Sequence, residues 1–244
     1  MQEHEIWLTR QFNEHLAGLG NFLLGLAGQH AEAPGHPWKN FIVMQLVVVL
    51  LMMVLFAILR SRLSVERPGK MQHLFETIYL FLQETASQNI DDHPADHVFI
   101  FGTLFIFILF SNLIGIVPGL ESPTQVPYVP AGCAMLAFVY YNYIGLKTHK
   151  FAYIKHFAGP VWWLTPLMIP IEIASHLARP LSLTVRLFAN MFAGEKLTLV
   201  FLSLTYFMVP AVFMGLHAFV ALIQAYVFAL LTTLYIAGAS AHEH

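Results

Sequence analysis

Between Phe41 and Leu59 the chain reads Phe-Ile-Val-Met-Gln-Leu-Val-Val-Val-Leu-Leu-Met-Met-Val-Leu-Phe-Ala-Ile-Leu, with Gln45 the only polar side chain. That is close to the ~20 residues a helix needs to cross the hydrocarbon of a bilayer. No water is present there to satisfy backbone N–H and C=O groups, so the segment has to be helical. Composition extends the conclusion to the whole chain. Of 244 residues 57% are hydrophobic and 11% charged, whereas an ordinary soluble domain has ~25% charged. The expected class is an all-α polytopic membrane protein embedded in lipid. A net charge of −2 offers no basic surface to a nucleic acid. The single Cys133 cannot form an internal disulfide, and no Cys/His cluster has zinc-site spacing. No cofactor or metal site is expected.

Charge in the loops orients the spans. Arg60, Arg62, Arg67 and Lys70 follow the first span against the single Glu66, which places that end in the cytoplasm and the N-terminus outside. Residues 1–39 read as a polar, partly amphipathic N-terminal tail without the basic start of a cleavable signal. Residues 71–90 carry Leu74, Phe75, Ile78 and Leu82 at helical spacing among Gln72, Glu76, Gln83 and Glu84. This predicts an amphipathic helix on the interface, too polar to span. Spans follow at 97–117 and 131–146, joined by a proline-rich loop without Lys or Arg. Lys147, Lys150 and Lys155 mark the cytoplasm a second time. The rest reads as a hairpin of two long tilted helices, 161–204 and 211–239, which gives five crossings, a cytoplasmic C-terminus and a single membrane domain over 40–244.

The hairpin contains charges that lipid penalises. An arginine carries its charge at any physiological pH, and Arg186 near mid-bilayer costs at least ~2.5–3.5 kcal/mol on an insertion scale. At about 100° per residue, Glu172, Arg179, Arg186 and Asn190 fall on one helical stripe. Glu195 is turned about 180° from Arg186 and lies ~13 Å further along the axis, while Glu172 is ~21 Å away in the other direction. On the last helix, His217 matches the depth of Glu195, and Gln224 lies nearer Arg186. A Glu facing a His in a wet cleft can pass protons, because imidazole titrates near neutrality. A fixed positive charge between two acidic sites blocks direct passage of a cation, which implies a conducting path divided in two.

Each of these residues also has a purely structural reading. Arg186 could pair with an internal carboxylate, Glu195 could pair with the adjacent Lys196 near a helix end, and His217 could be a packed polar side chain. Pro166, Pro170 and Pro180 could be kinks alone, with Pro180 leaving the carbonyl of His176 without its helical donor. Asn112 and Asn142 read as interhelical hydrogen-bond formers.

The stretch Arg186-Leu-Phe-Ala-Asn190-Met-Phe-Ala-Gly-Glu195, preceded by Arg179-Pro-Leu-Ser and followed by His217 and Gln224, resembles subunit a of the rotary F-type ATP synthase of bacteria. Ser111-Asn-Leu-Ile-Gly-Ile-Val-Pro118 is similar to the end of an earlier helix in that family, so the resemblance covers roughly residues 40–240. It implies a non-catalytic stator subunit against a rotor ring of c subunits, with the b-subunit peripheral stalk and the remaining synthase subunits as partners. Arg186 would face the ring carboxylates, with Asn190 and Gln224 as its polar neighbours. Glu195 and His217 would form the inlet half-channel, and Glu172 with Ser175 the outlet. Protons would be the transported ion and a bacterial plasma membrane the location. Ala189 departs from the pattern, since many members have glycine there. No GxxxxGK[ST] phosphate loop is present, so nucleotide chemistry is not expected in this chain. A proton-coupled secondary transporter is the alternative, although such folds carry repeated halves and none is visible here.

Overall fold

The computed structural model describes residues 5–26, 36–90, 94–117, 119–149, 165–204 and 208–240. Seven helices occupy most of them: α1 (Trp7–Leu26), α2 (Asn40–Ser61), α3 (Lys70–Asn89), α4 (Pro94–Ile114), α5 (Tyr128–His149), α6 (Thr165–Leu204) and α7 (Met208–Ser240). A single 3-10 turn, Pro123–Gln125, lies between α4 and α5. Five helices are long and apolar enough to cross a membrane, namely α2, α4, α5, α6 and α7. Residues 161–164, at the expected start of the long hairpin, and the second basic loop beyond residue 149 lie outside the described residues.

The stretch read as a polar, partly amphipathic tail at 1–39 contains a helix among its described residues. Trp7–Leu26 form a 20-residue helix with a kink at Leu16. Its apolar residues recur at helical spacing, but Gly18, Gly20 and Gly25 weaken that pattern in the sequence.

Small side chains set how closely the spans pack. In lipid there is no hydrophobic drive between helices, so contact area and close backbone approach decide association. On α7, Ala221, Ala225 and Ala229 repeat every four residues and are fully buried. They let α7 lie against α4 and α5, where Phe101, Phe105 and Ile108 of α4 and Ala134 and Ala137 of α5 complete the contact. Leu183, Leu187 and Met191 bring α6 onto the same core. α3 turns Leu82, Thr85 and Ala86 inward and packs on α4 and α7. α2 is sparsely covered, burying only Asn40, Val43, Met44 and Val48.

α6 runs through Pro170 and Pro180 as one helix of 40 residues. That is about 60 Å at the usual rise, roughly twice the hydrocarbon thickness. Both of its ends carry exposed apolar side chains, Leu167 and Ile169 at one and Leu202 and Leu204 at the other. The helix therefore crosses at a slant rather than projecting into water.

The connection from α4 to α5 folds back into the bundle. Thr124 Oγ1 donates to Asn112 Oδ1 (2.6 Å), and Asn112 Nδ2 donates to the Ala221 carbonyl of α7 (3.3 Å). Ser122 Oγ donates to the Ser111 carbonyl at 2.8 Å. All four side chains are buried, so each broken bond would leave a polar group with no water to replace it, a cost of about 1–3 kcal/mol. Gly115 permits the fold-back, because a Cβ there would lie 2.7 Å from that of Ser122. Asn112 thus joins two helices and a loop, as its position suggested. Asn142 Nδ2 donates to the Phe138 carbonyl of its own helix (2.8 Å).

Candidate functional site

The polar stripe of α6 runs along the margin between its packed and its outward face. His176, Leu183, Leu187, Met191 and Glu195 are buried, whereas Arg186 is exposed and Glu172 and Asn190 are half-buried. Arg186 forms no ion pair or hydrogen bond with any described residue. Ser175 is exposed one turn from Arg179, and Gln224 is half-buried on α7, which packs against α6.

Arg179 does not stay with Arg186 on an open face. Its guanidinium stands over two rings, 5.7 Å from the centroid of Tyr141 on α5 and 5.3 Å from that of Tyr235 on α7. The ring quadrupoles offset part of the cost of a cation held in this region. Tyr141 also meets the edge of His176 at 5.9 Å, and His176 Nδ1 lies 3.9 Å from Glu172 Oε1. One end of α6 therefore carries a connected cluster of Glu172, His176, Arg179, Tyr141 and Tyr235. Of its members, the sequence had pointed to Glu172 and Arg179 alone. Aromatic residues in a span look like ordinary packing until the fold brings a cation over them.

At the other end Glu195 turns inward, opposite in sense to Arg186, and is buried. Its partner was not foreseen. With the Gln125 amide oriented so that its nitrogen meets the carboxylate, that nitrogen donates to Oε1 at 2.9 Å and to Oε2 at 2.6 Å. Gln125 comes from the 3-10 turn that the Asn112 network holds in place. The only sequence signal for it was a polar residue beside Pro123 in a loop between two spans. Lys196 is exposed over the ring of Phe192 (5.5 Å) and makes no ion pair with Glu195 among the described residues.

No hydrogen bond or ion pair joins Glu195 to His217 among the described residues. His217 is buried on α7 with its ring laid on Gly194, the residue before Glu195, and its Nε2 has no hydrogen-bond partner there. The two groups share a depth, but the imidazole occupies the space a side chain at position 194 would take. A Cβ on Gly194 would come within 3.2–3.3 Å of three ring atoms. Gly194→Ala should therefore displace the imidazole and slow proton conduction by the assembled membrane sector. A dye-reported proton flux equal to wild type would show that the ring position is not needed.

Comparison with known proteins decides the family. The profile of the ATP synthase A chain matches residues 41–237. The chain belongs to the ATP synthase A chain family. It is 61% identical over 234 residues to the ATP synthase subunit a of Solibacter usitatus, a match covering 96% of this chain and 100% of that protein. It is 43% identical over 242 residues to the ATP synthase subunit a of Koribacter versatilis, covering 99% of each. A third member, from Desulfosudis oleivorans, is 43% identical over 198 residues, 81% of this chain and 86% of that one. The shared region holds all five candidate spans of this family member up to Ala237 and both polar clusters of α6.

Proposed function

We propose that this chain is the proton-translocating stator subunit of a bacterial F-type ATP synthase, passing protons to and from a ring of c subunits through two offset half-paths. The observation that carries this reading is Arg186, a fixed cation exposed on a membrane-crossing helix with no partner among the described residues of its own chain. Such a charge needs a counter-charge from elsewhere, and a carboxylate on a ring moving past α6 supplies one. Glu195 with Gln125 and His217 forms the inlet side, Glu172 with His176 and Ser175 the outlet side. Asn190 and Gln224 are the polar neighbours of Arg186.

A proton taken from Glu195 neutralises the ring carboxylate, which can then enter lipid. After nearly a full turn the carboxylate meets the outlet cluster and releases its proton, and Arg186 holds the resulting anion. Each elementary charge crossing 100 mV contributes ~2.3 kcal/mol, so several protons are needed for each ATP. The basic residues after α2 favour a cytoplasmic end there, with the N-terminus outside and the protein in the bacterial plasma membrane. The b-subunit stalk and the other synthase subunits complete the assembly, and the chemistry of ATP belongs to them. Nothing favours the secondary-transporter alternative over this reading.

The test is to reconstitute the membrane sector with and without this chain and impose a potassium diffusion potential. Proton uptake should require the chain. Equal uptake in its absence would sink the reading.

A further inference from the structure

α1 packs on the protein largely through small and polar side chains. Thr9, Asn13 and Gly20 are buried there, with Phe12 edge-on to the Trp38 ring (centroids 6.0 Å apart) and Ile6 just ahead of the helix. Asn13 receives the Trp38 N–H on Oδ1 (3.0 Å) and donates through Nδ2 to the Trp38 carbonyl (3.2 Å). Trp38 Nε1 donates to the Leu16 carbonyl at 2.9 Å, where α1 kinks. A Cβ on Gly20 would lie 2.8 Å from Pro37 and from the Trp38 ring, so glycine lets the helix press onto this segment. Before the kink the outward side mixes Trp7 (71% exposed) with Arg10, Glu14 and His15, whereas beyond it Leu19 (52%) and Phe22 (67%) face out with no charged residue beside them. Polar contacts thus hold α1 to the protein, and the apolar side chains beyond the kink are left facing out.

The level of the helix is fixed by its attachment. The Ile6 N–H donates to Asn40 Oδ1 at 3.3 Å, and Asn40 is the first residue of the spanning helix α2. α1 therefore lies at the membrane face where α2 begins. Exposed apolar side chains of α2 begin within three turns of that point, at Leu46, Val49 and Leu50. The described part of α1 and its lead-in hold Arg10 as the only Lys or Arg, and Arg10 pairs with Glu14 at 3.1 Å. Attraction to acidic headgroups is not the driving term, and the fit is to the boundary between headgroups and acyl chains.

We propose that α1 is seated in the lipid interface on this face, with Leu19 and Phe22, beyond the kink, in the acyl boundary. The contact has a second consequence through Asn40, whose Nδ2 donates to Glu121 Oε2 (3.2 Å) in the loop that carries Gln125. A lipid-seated α1 braces the outer edge of that loop.

The experiment uses the complete complex in phosphatidylcholine vesicles, with Cys133→Ser and the cysteines of the other subunits removed. Spin labels on Leu19→Cys and Phe22→Cys should be relaxed by oxygen and spared by a water-soluble nickel chelate. Labels on Arg10→Cys and Glu14→Cys should show the reverse. Relaxation by nickel at positions 19 and 22 would overturn the proposal in favour of water. Shielding from both agents would overturn it in favour of a covering protein chain. Should these variants fail to assemble, wild-type complex in vesicles with diazirine-bearing acyl chains decides the matter. Adducts on residues 5–26 are expected, and their absence would count against the lipid contact.

Discussion

Arg186→Ala should abolish proton-driven ATP synthesis by the assembled complex while its membrane sector still conducts protons. Removing the guanidinium takes away both the counter-charge for a ring carboxylate and the barrier between the two polar clusters of α6. A unit-charge pair at 4 Å with an effective dielectric of 20 is worth about 4 kcal/mol, or roughly a thousandfold in a rate that depends on it. Because Arg186 is exposed and makes no hydrogen bond or ion pair with a described side chain of its own chain, the substitution should leave the helix bundle intact. That separates loss of function from loss of fold. The measurement is ATP synthesis in proteoliposomes beside dye-reported proton flux. Synthesis at the wild-type rate would refute the role given to Arg186.

Glu195→Gln is expected to have the next largest effect. The amide keeps the shape of the side chain and its place beside Gln125, but it cannot accept and release a proton. A positioned acid–base group contributes about a hundredfold or more, so uptake from the inlet side should fall by at least that order. Gln125→Ala should do less, since the carboxylate remains and only its orientation is loosened. An uptake rate unchanged by Glu195→Gln would remove this carboxylate from the path. A Gln125→Ala variant slower than Glu195→Gln would assign the main effect to the loop.

What the sequence made legible depended on the kind of signal. The run at 41–59 has only one possible structure in lipid, and α2 is that helix. Helical spacing also fixed the opposition of Arg186 and Glu195, since rotation along a single helix is a matter of arithmetic. Contacts between helices were not accessible in the same way. Arg179 shares a stripe with Arg186 on paper, yet two tyrosines from different helices draw it inward. Glu195 looked like the partner of His217, but the imidazole lies over Gly194 and a loop glutamine reaches the carboxylate first. Gln125 gets there only because the Asn112 network and Gly115 fold the loop back, and no periodicity encodes that return. In α1, Gly20, which allows close packing, is one of the three glycines that obscured the helix.

The slant of α6 converts distance along the chain into distance around a circle. Glu172 and Glu195 are separated by about 35 Å along the helix axis at 1.5 Å per residue. For a helix twice as long as the hydrocarbon is thick, the tilt approaches 60°, so most of that separation, about 30 Å, is sideways and only about 17 Å is depth. Against a cylindrical partner such a sideways offset is an arc. Under the proposed function, loading and unloading would then occur at different bearings, and the ion gradient would rectify thermal jostling of the cylinder into one sense of rotation. A vertical helix bearing the same residues would place both stations at one bearing, where the gradient could drive a leak but no torque.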